Sequence, residues 1–247
     1  MKNQDKLLFA MTAVMLLLAI PYLLVRTGAW EPAVSNASDA SAMPPIRDPD
    51  DLPVICQLAD FSMTNQLGQT VRRADLLGQV WVADVIFTRC PGPCAMMTTR
   101  MADLQASIPK EWPVKFVSLT ADAEYDTPEV LRIYADGYQA DSRRWNFLHG
   151  TKPAIVDLAV KNLKLVVLDK EQERQSPNDL FIHSTTLALV DKHGRLRGAF
   201  ESVPMEVSGD AQVAAQFADV QAAPLDNWQS MLKPRLLEAV EQLIVED

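Results

Sequence analysis

The longest uncharged and mostly apolar run of the chain lies near its amino terminus. Residues 7–25 form an uncharged run of nineteen residues, which as a helix spans about 28 Å, close to the hydrocarbon thickness of a bilayer. Lys2 and Lys6 precede this run and Arg26 follows it. The excess of basic residues before the run predicts that this end is cytoplasmic and that residues 27–247 lie outside the cytoplasm. We expect a single membrane-spanning helix, with a cleaved signal peptide as the alternative.

The rest of the chain divides into three parts by composition. Residues 29–53 are rich in Ala, Ser, Pro and Asp, which is typical of a flexible tether. We therefore expect a membrane anchor over 1–28, this tether, a folded domain over 54–200 and a C-terminal extension over 201–247. The extension contains one amphipathic pattern, within 224–246, that predicts a helix.

Strand and helix patterns alternate along the folded domain. Residues 80–87 are apolar almost throughout, as expected of a strand covered on both faces, and residues 114–120 are the next predicted strand. Between them, Met97, Met101 and Leu104 recur at helical spacing. The other predicted elements are a hairpin over 61–71, helices starting near Asp126 and Lys152, a strand over 164–168 and a hairpin formed by 184–191 and 196–200. This order predicts an α/β sandwich around a central mixed sheet.

Composition narrows the possible chemistry. The net charge of −9 argues against non-specific binding to nucleic acid, which needs a basic face. Three cysteines are too few for a disulfide-stapled scaffold, and three histidines exclude a histidine-rich metal site. A metal site in this chain would have to combine sulfur and nitrogen ligands.

Two of the cysteines stand at the junction of a predicted buried strand and a predicted helix. Cys90 and Cys94 enclose Pro91, Gly92 and Pro93. A cysteine pair at such a junction is typical of the thioredoxin-like fold. The positive end of the helix dipole stabilises thiolate, the form that ligates soft metals and attacks disulfides. Two thiolates suit Cu(I), and an added imidazole suits both Cu(I) and Cu(II).

His183 is the candidate imidazole. It directly precedes the predicted strand 184–191, and in a thioredoxin-like sheet the start of this strand lies beside the cysteine loop. Thioredoxins have a proline at this point, whereas the stretch 184–186 of this chain has none. The change favours a metal ligand over a general thiol oxidoreductase. His183 is therefore a candidate metal ligand beside Cys90 and Cys94, and this combination of ligands suits copper.

At these motifs the chain resembles the Sco/SenC family of copper proteins, from about Phe61 to Phe200. The family motif T-x-C-P-x-x-C corresponds to residues 88–94. The segment F-x-V-D-P-x-x-D-T-P-x-x-L corresponds to residues 119–131, and the motif D-H-S to residues 182–184. The resemblance implies a thioredoxin-like domain whose two cysteines and histidine bind copper.

The resemblance has local departures. Ala95 and Ala123 stand where the family has proline, and Ile182 replaces the aspartate before the histidine, which removes a carboxylate that could support the ligand. Within the matched segments, Asp122 or Asp126 is a candidate to act near the site. Capping of the following helix is the expected role of Asp126.

The resemblance also implies a function and partners. The family delivers copper to the dinuclear copper site of cytochrome c oxidase, or reduces the thiols of that site. We therefore expect a metallochaperone rather than an enzyme, with an apo oxidase subunit and a thiol reductant as partners. The anchor would place its domain on the extracytoplasmic, periplasmic side of the membrane. A thiol–disulfide oxidoreductase that uses Cys90 and Cys94 without obligatory metal is the alternative, and a redox or copper sensor is a third hypothesis.

Five other residues carry chemistry that the motifs do not use. Met96 and Met97 are expected to fill the core rather than to ligate copper. His149 is expected in a surface turn and His193 in an exposed hairpin turn. Cys56 stands at the edge of the tether, as a buried thiol, a reactive thiol or a dimer link.

Overall fold

The structure, a computed structural model, describes residues 52–90, 92–170, 180–202 and 227–246. Within these ranges no helix is both long enough and apolar enough to cross a membrane. The predicted anchor over 7–25 and almost all of the tether lie outside the described residues.

Ten strands and four α-helices make up the described part of the chain. The strands are β1 (Cys56–Gln57), β2 (Ser62–Asn65), β3 (Thr70–Arg72), β4 (Val80–Ile86), β5 (Val114–Thr120), β6 (Trp145–His149), β7 (Val167–Asp169), β8 (Phe181–His183), β9 (Thr186–Val190) and β10 (Arg195–Glu201). The helices are α1 (Cys94–Ser107), α2 (Pro128–Gly137), α3 (Lys152–Val156) and α4 (Lys233–Val245). Single turns of 3-10 helix (Arg73–Leu76) and π-helix (Asp157–Asn162 and Trp228–Leu232) accompany them.

Eight of the strands form one mixed sheet in the order β1-β10-β9-β4-β5-β6-β2-β3. Strands β4, β5 and β6 are parallel, and β9 lies antiparallel to β4 on the other side. The remaining two strands, β7 and β8, form a separate antiparallel pair. Because β9 runs against β4, the residues that lead into β9 lie at the carboxyl end of β4.

Strand β4 is buried along its whole length because both faces of the sheet are covered. Its residues Val80, Val82 and Ile86 belong to an apolar core that includes residues of α1, α2 and α4. Trp81 and the residues alternating with it belong to a second core, which includes residues of α3 and the π-helical turn after it. This two-sided cover confirms the predicted α/β sandwich and explains the apolar run at 80–87.

Two helices begin as their sequences predict. Thr127 and Thr151 each cap a helix, and the side-chain oxygen of each accepts a hydrogen bond from the backbone N–H three residues later. A proline in the first turn follows each cap, where the missing N–H costs nothing. The cap of α2 is thus Thr127, and the expectation that Asp126 caps this helix is wrong.

The structure differs from the predicted elements in two further places. The helix predicted to start near Lys152 is a short α-helix continued by a π-helical turn, in which Leu163 N–H bonds to the Leu158 carbonyl at 2.9 Å. His149, expected in a surface turn, is the last residue of β6 and is half-buried. His193 is exposed in the turn before β10, as predicted.

The C-terminal helix packs into the core of the domain. Leu236, Val240 and Leu243 on α4 have no exposed surface. The π-helical turn before α4 and the first residue of α4 both bond to Asp103 of α1. The Asp103 carboxylate accepts hydrogen bonds from Trp228 Nε1 and Lys233 Nζ, both at 2.8 Å. The segment 227–246 therefore covers one face of the sheet as α1 does.

We expect Leu236→Ala to lower the free energy of unfolding by about 2 to 5 kcal/mol, because it removes fully buried methyl groups and leaves a cavity. Val245 lies on the same helix with 80% of its surface exposed, so Val245→Ala is the matched control and should change stability little. Denaturant unfolding of the two variants measures the difference. Equal stabilities would contradict the packing of α4 as described.

Candidate metal centre

The topology brings Cys90, Cys94 and His183 together at the carboxyl end of β4. Cys90 closes the turn that follows β4, and Cys94 is the first residue of α1. His183 is the last residue of β8. Two residues separate it from the start of β9, which pairs with β4. Among the described residues, these three form the one group of metal-ligating side chains whose ligand atoms all lie close together.

The ligand atoms of the three residues lie within 4.8 Å of one another. His183 Nε2 is 3.1 Å from Cys94 Sγ and 4.0 Å from Cys90 Sγ. Bonds of about 2.0 to 2.3 Å to a shared ion place its nitrogen and sulfur ligands roughly 3 to 4 Å apart. The cluster therefore has the dimensions of a three-ligand site before any metal is added.

The imidazole of His183 is held in one orientation. Its Nδ1 is 3.0 Å from the carbonyl oxygen of Ser184, which can only accept a hydrogen bond, so Nδ1 carries a proton and Nε2 faces the thiols. Phe87 packs edge-on against the ring, with 5.7 Å between ring centroids, and Phe181 packs edge-on against Phe87. These contacts fix the ligand although the aspartate that precedes the histidine in the family motif is absent.

The two thiols have opposite electrostatic environments. A hydrogen bond from Cys94, assisted by one from His183 and by the N–H groups of Gly92 and Cys94, lowers the pKa of Cys90 to about 4, although partial burial opposes the shift. Burial raises the pKa of Cys94, and its hydrogen bond to Cys90 and the Cys90 charge raise it further. Cys90 is therefore a half-buried thiolate at neutral pH and Cys94 a buried thiol.

Asp84, on strand β4, is a buried acid that the sequence patterns did not identify as a candidate. It has no exposed surface, and no hydrogen bond of normal geometry reaches its carboxylate oxygens from the described residues. Burial raises its pKa to about 7, and the Ser118 side chain beside it on β5 and the charge of His183 only partly offset this. The one signal for it in the sequence is an acid within an apolar strand run.

The other residues considered from sequence have different surroundings. Met97 is buried, as expected of a core residue, whereas Met96 has 47% of its surface accessible, so the expectation that Met96 fills the core is wrong. Cys56 is a half-buried free thiol on the edge strand β1, where its Sγ contacts the Asn162 carbonyl oxygen at 3.4 Å. Asp126 and Asp122 contact the two residues that precede Cys90.

Comparison with known proteins gives one consistent family. A model of the SCO1/SenC family matches residues 56–217. A SCO1 protein homolog of Bacillus subtilis is 33% identical over 153 residues, which cover 61% of this chain and 77% of that protein. A putative copper-binding protein of Stutzerimonas stutzeri is 28% identical over 165 residues, which cover 66% of this chain and 77% of that protein.

Solved structures agree with this family. A SCO1/SenC lipoprotein of Bacillus anthracis is 30% identical, with a TM-score of 0.55 over 69% of this chain and 96% of that one. BsSco, described as a member of the Sco family of cytochrome c oxidase assembly proteins with a disulfide switch, is 29% identical, with a TM-score of 0.54 over 69% of this chain and 94% of that one. The mixed sheet and its helices therefore have the thioredoxin-like fold of Sco proteins.

In the reduced, metal-free protein we expect alkylation of Cys90 to be nearly independent of pH between 6 and 8, because its thiol is already ionised. An ordinary thiol with a pKa near 8.5 gains nearly two orders of magnitude in thiolate over this range. Mass spectrometry with iodoacetamide in a Cys56→Ser background measures the site-specific rate. Cys94→Ala should restore part of the pH dependence, because it removes the main hydrogen bond to Cys90.

We expect Asp84 to make the metal-free protein less stable as pH rises. Its carboxyl ionises near pH 4 when unfolded and near pH 7 when folded, so the folded state loses stability across this window, on the order of 4 kcal/mol in total. Asp84→Asn should remove this slope, whereas Asp60→Asn, which alters an exposed carboxylate, should keep it. Parallel pH profiles of unfolding free energy for wild type and Asp84→Asn would contradict the assignment.

Proposed function

The chain belongs to the SCO1/SenC family, and we propose that it is a membrane-anchored copper metallochaperone that carries one copper ion on Cys90, Cys94 and His183. The observation that carries the proposal is the convergence of two thiols and an oriented imidazole at one edge of the sheet. Soft sulfur ligands favour Cu(I), and the added imidazole also accommodates Cu(II). Copper is here the cargo of the protein.

Each side chain has a distinct part in binding this cargo. Cys90 offers a thiolate on the more open side of the cluster, so it is the natural first ligand. Cys94 must lose its proton on binding, since thiolate is the ligating form. His183 supplies Nε2, while the Ser184 carbonyl oxygen holds the proton on Nδ1. Copper uptake therefore releases a proton.

We infer that the recipient is a copper-site subunit of cytochrome c oxidase in its apo form. Solved structures described as copper-bound Sco proteins come from Bradyrhizobium japonicum and Arabidopsis thaliana, with TM-scores of 0.52 and 0.50. BsSco is described as belonging to a family of cytochrome c oxidase assembly proteins. Transfer would proceed by ligand exchange, and a thiol reductant would keep Cys90 and Cys94 reduced.

The apolar run over 7–25 supports the remainder of the proposal. As a single-pass anchor with a cytoplasmic amino terminus, it places the copper domain on the extracytoplasmic side. This is the compartment in which a periplasm-facing copper site of an oxidase would be accessible to it.

The second candidate function is thiol–disulfide exchange, which the unequal thiols favour. The Cys90 thiolate would attack a target disulfide, form a mixed disulfide and release one target thiolate. Cys94, on losing its proton, would then attack the Cys90 sulfur and release the second target thiol. The target disulfide is thereby reduced by two electrons, and Cys90 and Cys94 are oxidised to a disulfide. The external thiol reductant then reduces this disulfide.

Copper binding separates the two candidates. The full-length chain should take up one equivalent of Cu(II) with strong thiolate-to-copper charge-transfer bands, and one equivalent of Cu(I) in competition with a chelator. Cys90→Ala, Cys94→Ala and His183→Ala should each lose or shift the bands and weaken binding, because each removes a ligand. His193→Ala is the matched control, since His193 is exposed in a turn. If wild type takes up no stoichiometric copper, the metallochaperone proposal fails and thiol–disulfide exchange becomes the better assignment.

A further inference from the structure

Cys90 is presented by a tight turn at the end of β4. The Cys90 N–H donates to the Phe87 carbonyl oxygen at 3.1 Å, which makes Thr88 and Arg89 the two central residues of a four-residue turn. Cys94 is fixed by α1 and His183 by strand β8, whereas Cys90 lies on a connection between elements. The place of its sulfur therefore depends on what holds this turn.

Asp126 holds the first central residue of the turn. Its carboxylate accepts hydrogen bonds from the Thr88 N–H at 3.0 Å and from the Thr88 hydroxyl. The Thr120 hydroxyl donates to the same carboxylate at 2.6 Å. Asp126 has no exposed surface, so these bonds are shielded from competing water.

Asp122 holds the second central residue. Its Oδ2 accepts from Arg89 Nη2 at 2.6 Å, and the guanidinium lies over the ring of Tyr125 at 4.0 Å. The carboxylate is itself fixed, because its Oδ1 accepts from the Tyr125 N–H at 3.2 Å and only 5% of the residue is exposed. Each central residue of the turn thus has a carboxylate partner of its own.

Both carboxylates come from one connection, and the sheet places that connection beside the turn. Residues 121–127 join β5 to α2, and β5 is the parallel neighbour of β4. The Ala121 N–H bonds to the Ile86 carbonyl oxygen at 2.8 Å and extends the ladder to the last residue of β4. The carboxyl ends of the two strands therefore bring the acids and the cysteine turn together.

We propose that Asp126 is a positioning residue for Cys90 and that Asp122 supports it through Arg89. Together they set the distance of the Cys90 sulfur from Cys94 and His183. This inference rests on the proposed function, because it assigns these acids a role in forming the copper site. It also holds for disulfide formation between Cys90 and Cys94, which needs the same placement of sulfur.

The first test is the Cu(I) affinity of the full-length chain in chelator competition. Asp126→Ala should lower it about 10- to 100-fold, the usual cost of losing a group that orients a metal ligand. Asp126→Asn keeps one acceptor oxygen and the shape of the side chain, so it should recover most of the affinity. Asp136→Ala removes an exposed acid of α2 and should bind as wild type does.

A double-mutant cycle tests whether Asp126 acts through the turn. Thr88→Val removes the hydroxyl that bonds to Asp126 and should weaken copper binding in the same direction as Asp126→Ala. If Asp126 acts through Thr88, the double variant should bind little worse than Asp126→Ala alone. Independent, additive losses would assign Asp126 a role unrelated to the turn and overturn the proposal.

Two further readouts separate positioning from general stability and from failure of the copper proposal. Charge-transfer bands of bound Cu(II) should shift in Asp126→Ala, and unfolding curves show whether that variant is folded. If it is not, Thr88→Val, which preserves side-chain volume and removes one hydrogen bond to Asp126, replaces it in this comparison. If wild type binds no copper, the rate of Cys90–Cys94 disulfide formation with a small disulfide replaces affinity, and Asp126→Ala should lower it by up to about 100-fold. Wild-type affinity, spectrum and disulfide rate in Asp126→Ala and Thr88→Val would overturn the positioning role.

Discussion

Strand β4 is covered on both faces, and its backbone pairs with β5 on one side and with β9 on the other. A strand held in this way cannot shift without breaking two ladders and opening two cores. The carboxyl end of β4 is therefore held in one position. The turn to Cys90 follows it directly, and helix α1 begins four residues after Cys90. Asp122 and Asp126 follow the parallel neighbour β5 and therefore lie at the same edge. His183, in β8, precedes the antiparallel neighbour β9 and lies there too. The metal centre is a consequence of these two pairings.

The cluster avoids the burial of several like charges at once. Cys90, the more exposed thiol, carries the negative charge, while Cys94 beneath it stays protonated. Asp84, deeper still, is protonated up to about pH 7, because a charge there would be unpaired in the core. A copper ion changes this balance, since its charge offsets that of a second thiolate. The metal-free cluster thus holds one anionic ligand, the Cys90 thiolate, beside a protonated Cys94.

The ligands of this site could be predicted from sequence because they lie in short local motifs. Two cysteines at a strand-to-helix junction and a histidine before a late strand specify the edge of the sheet on which they meet. The residues that support these ligands could not be predicted from sequence. Contacts such as Asp84 with Ser118 and Asp126 with Thr88 depend on the register of β4 against β5. A pattern of apolar residues identifies both strands but does not fix that register. The three-residue strand β8 is likewise too short to leave a periodic signal, whereas the strand predicted over 164–168 overlaps β7.

His183 is the residue that distinguishes the two candidate chemistries. Disulfide exchange needs an ionised Cys90 and a second thiol within reach, and the hydrogen bond from Cys94 together with the N–H groups at the start of α1 already supplies most of what ionises Cys90. An imidazole 3.1 Å from Cys94 Sγ, with its other nitrogen held by a backbone carbonyl, adds little to that reaction. The same imidazole is a third ligand in a cluster whose atoms already lie at coordination spacing. Copper carriage therefore accounts for every member of the cluster, whereas thiol exchange leaves the orientation of His183 without a purpose.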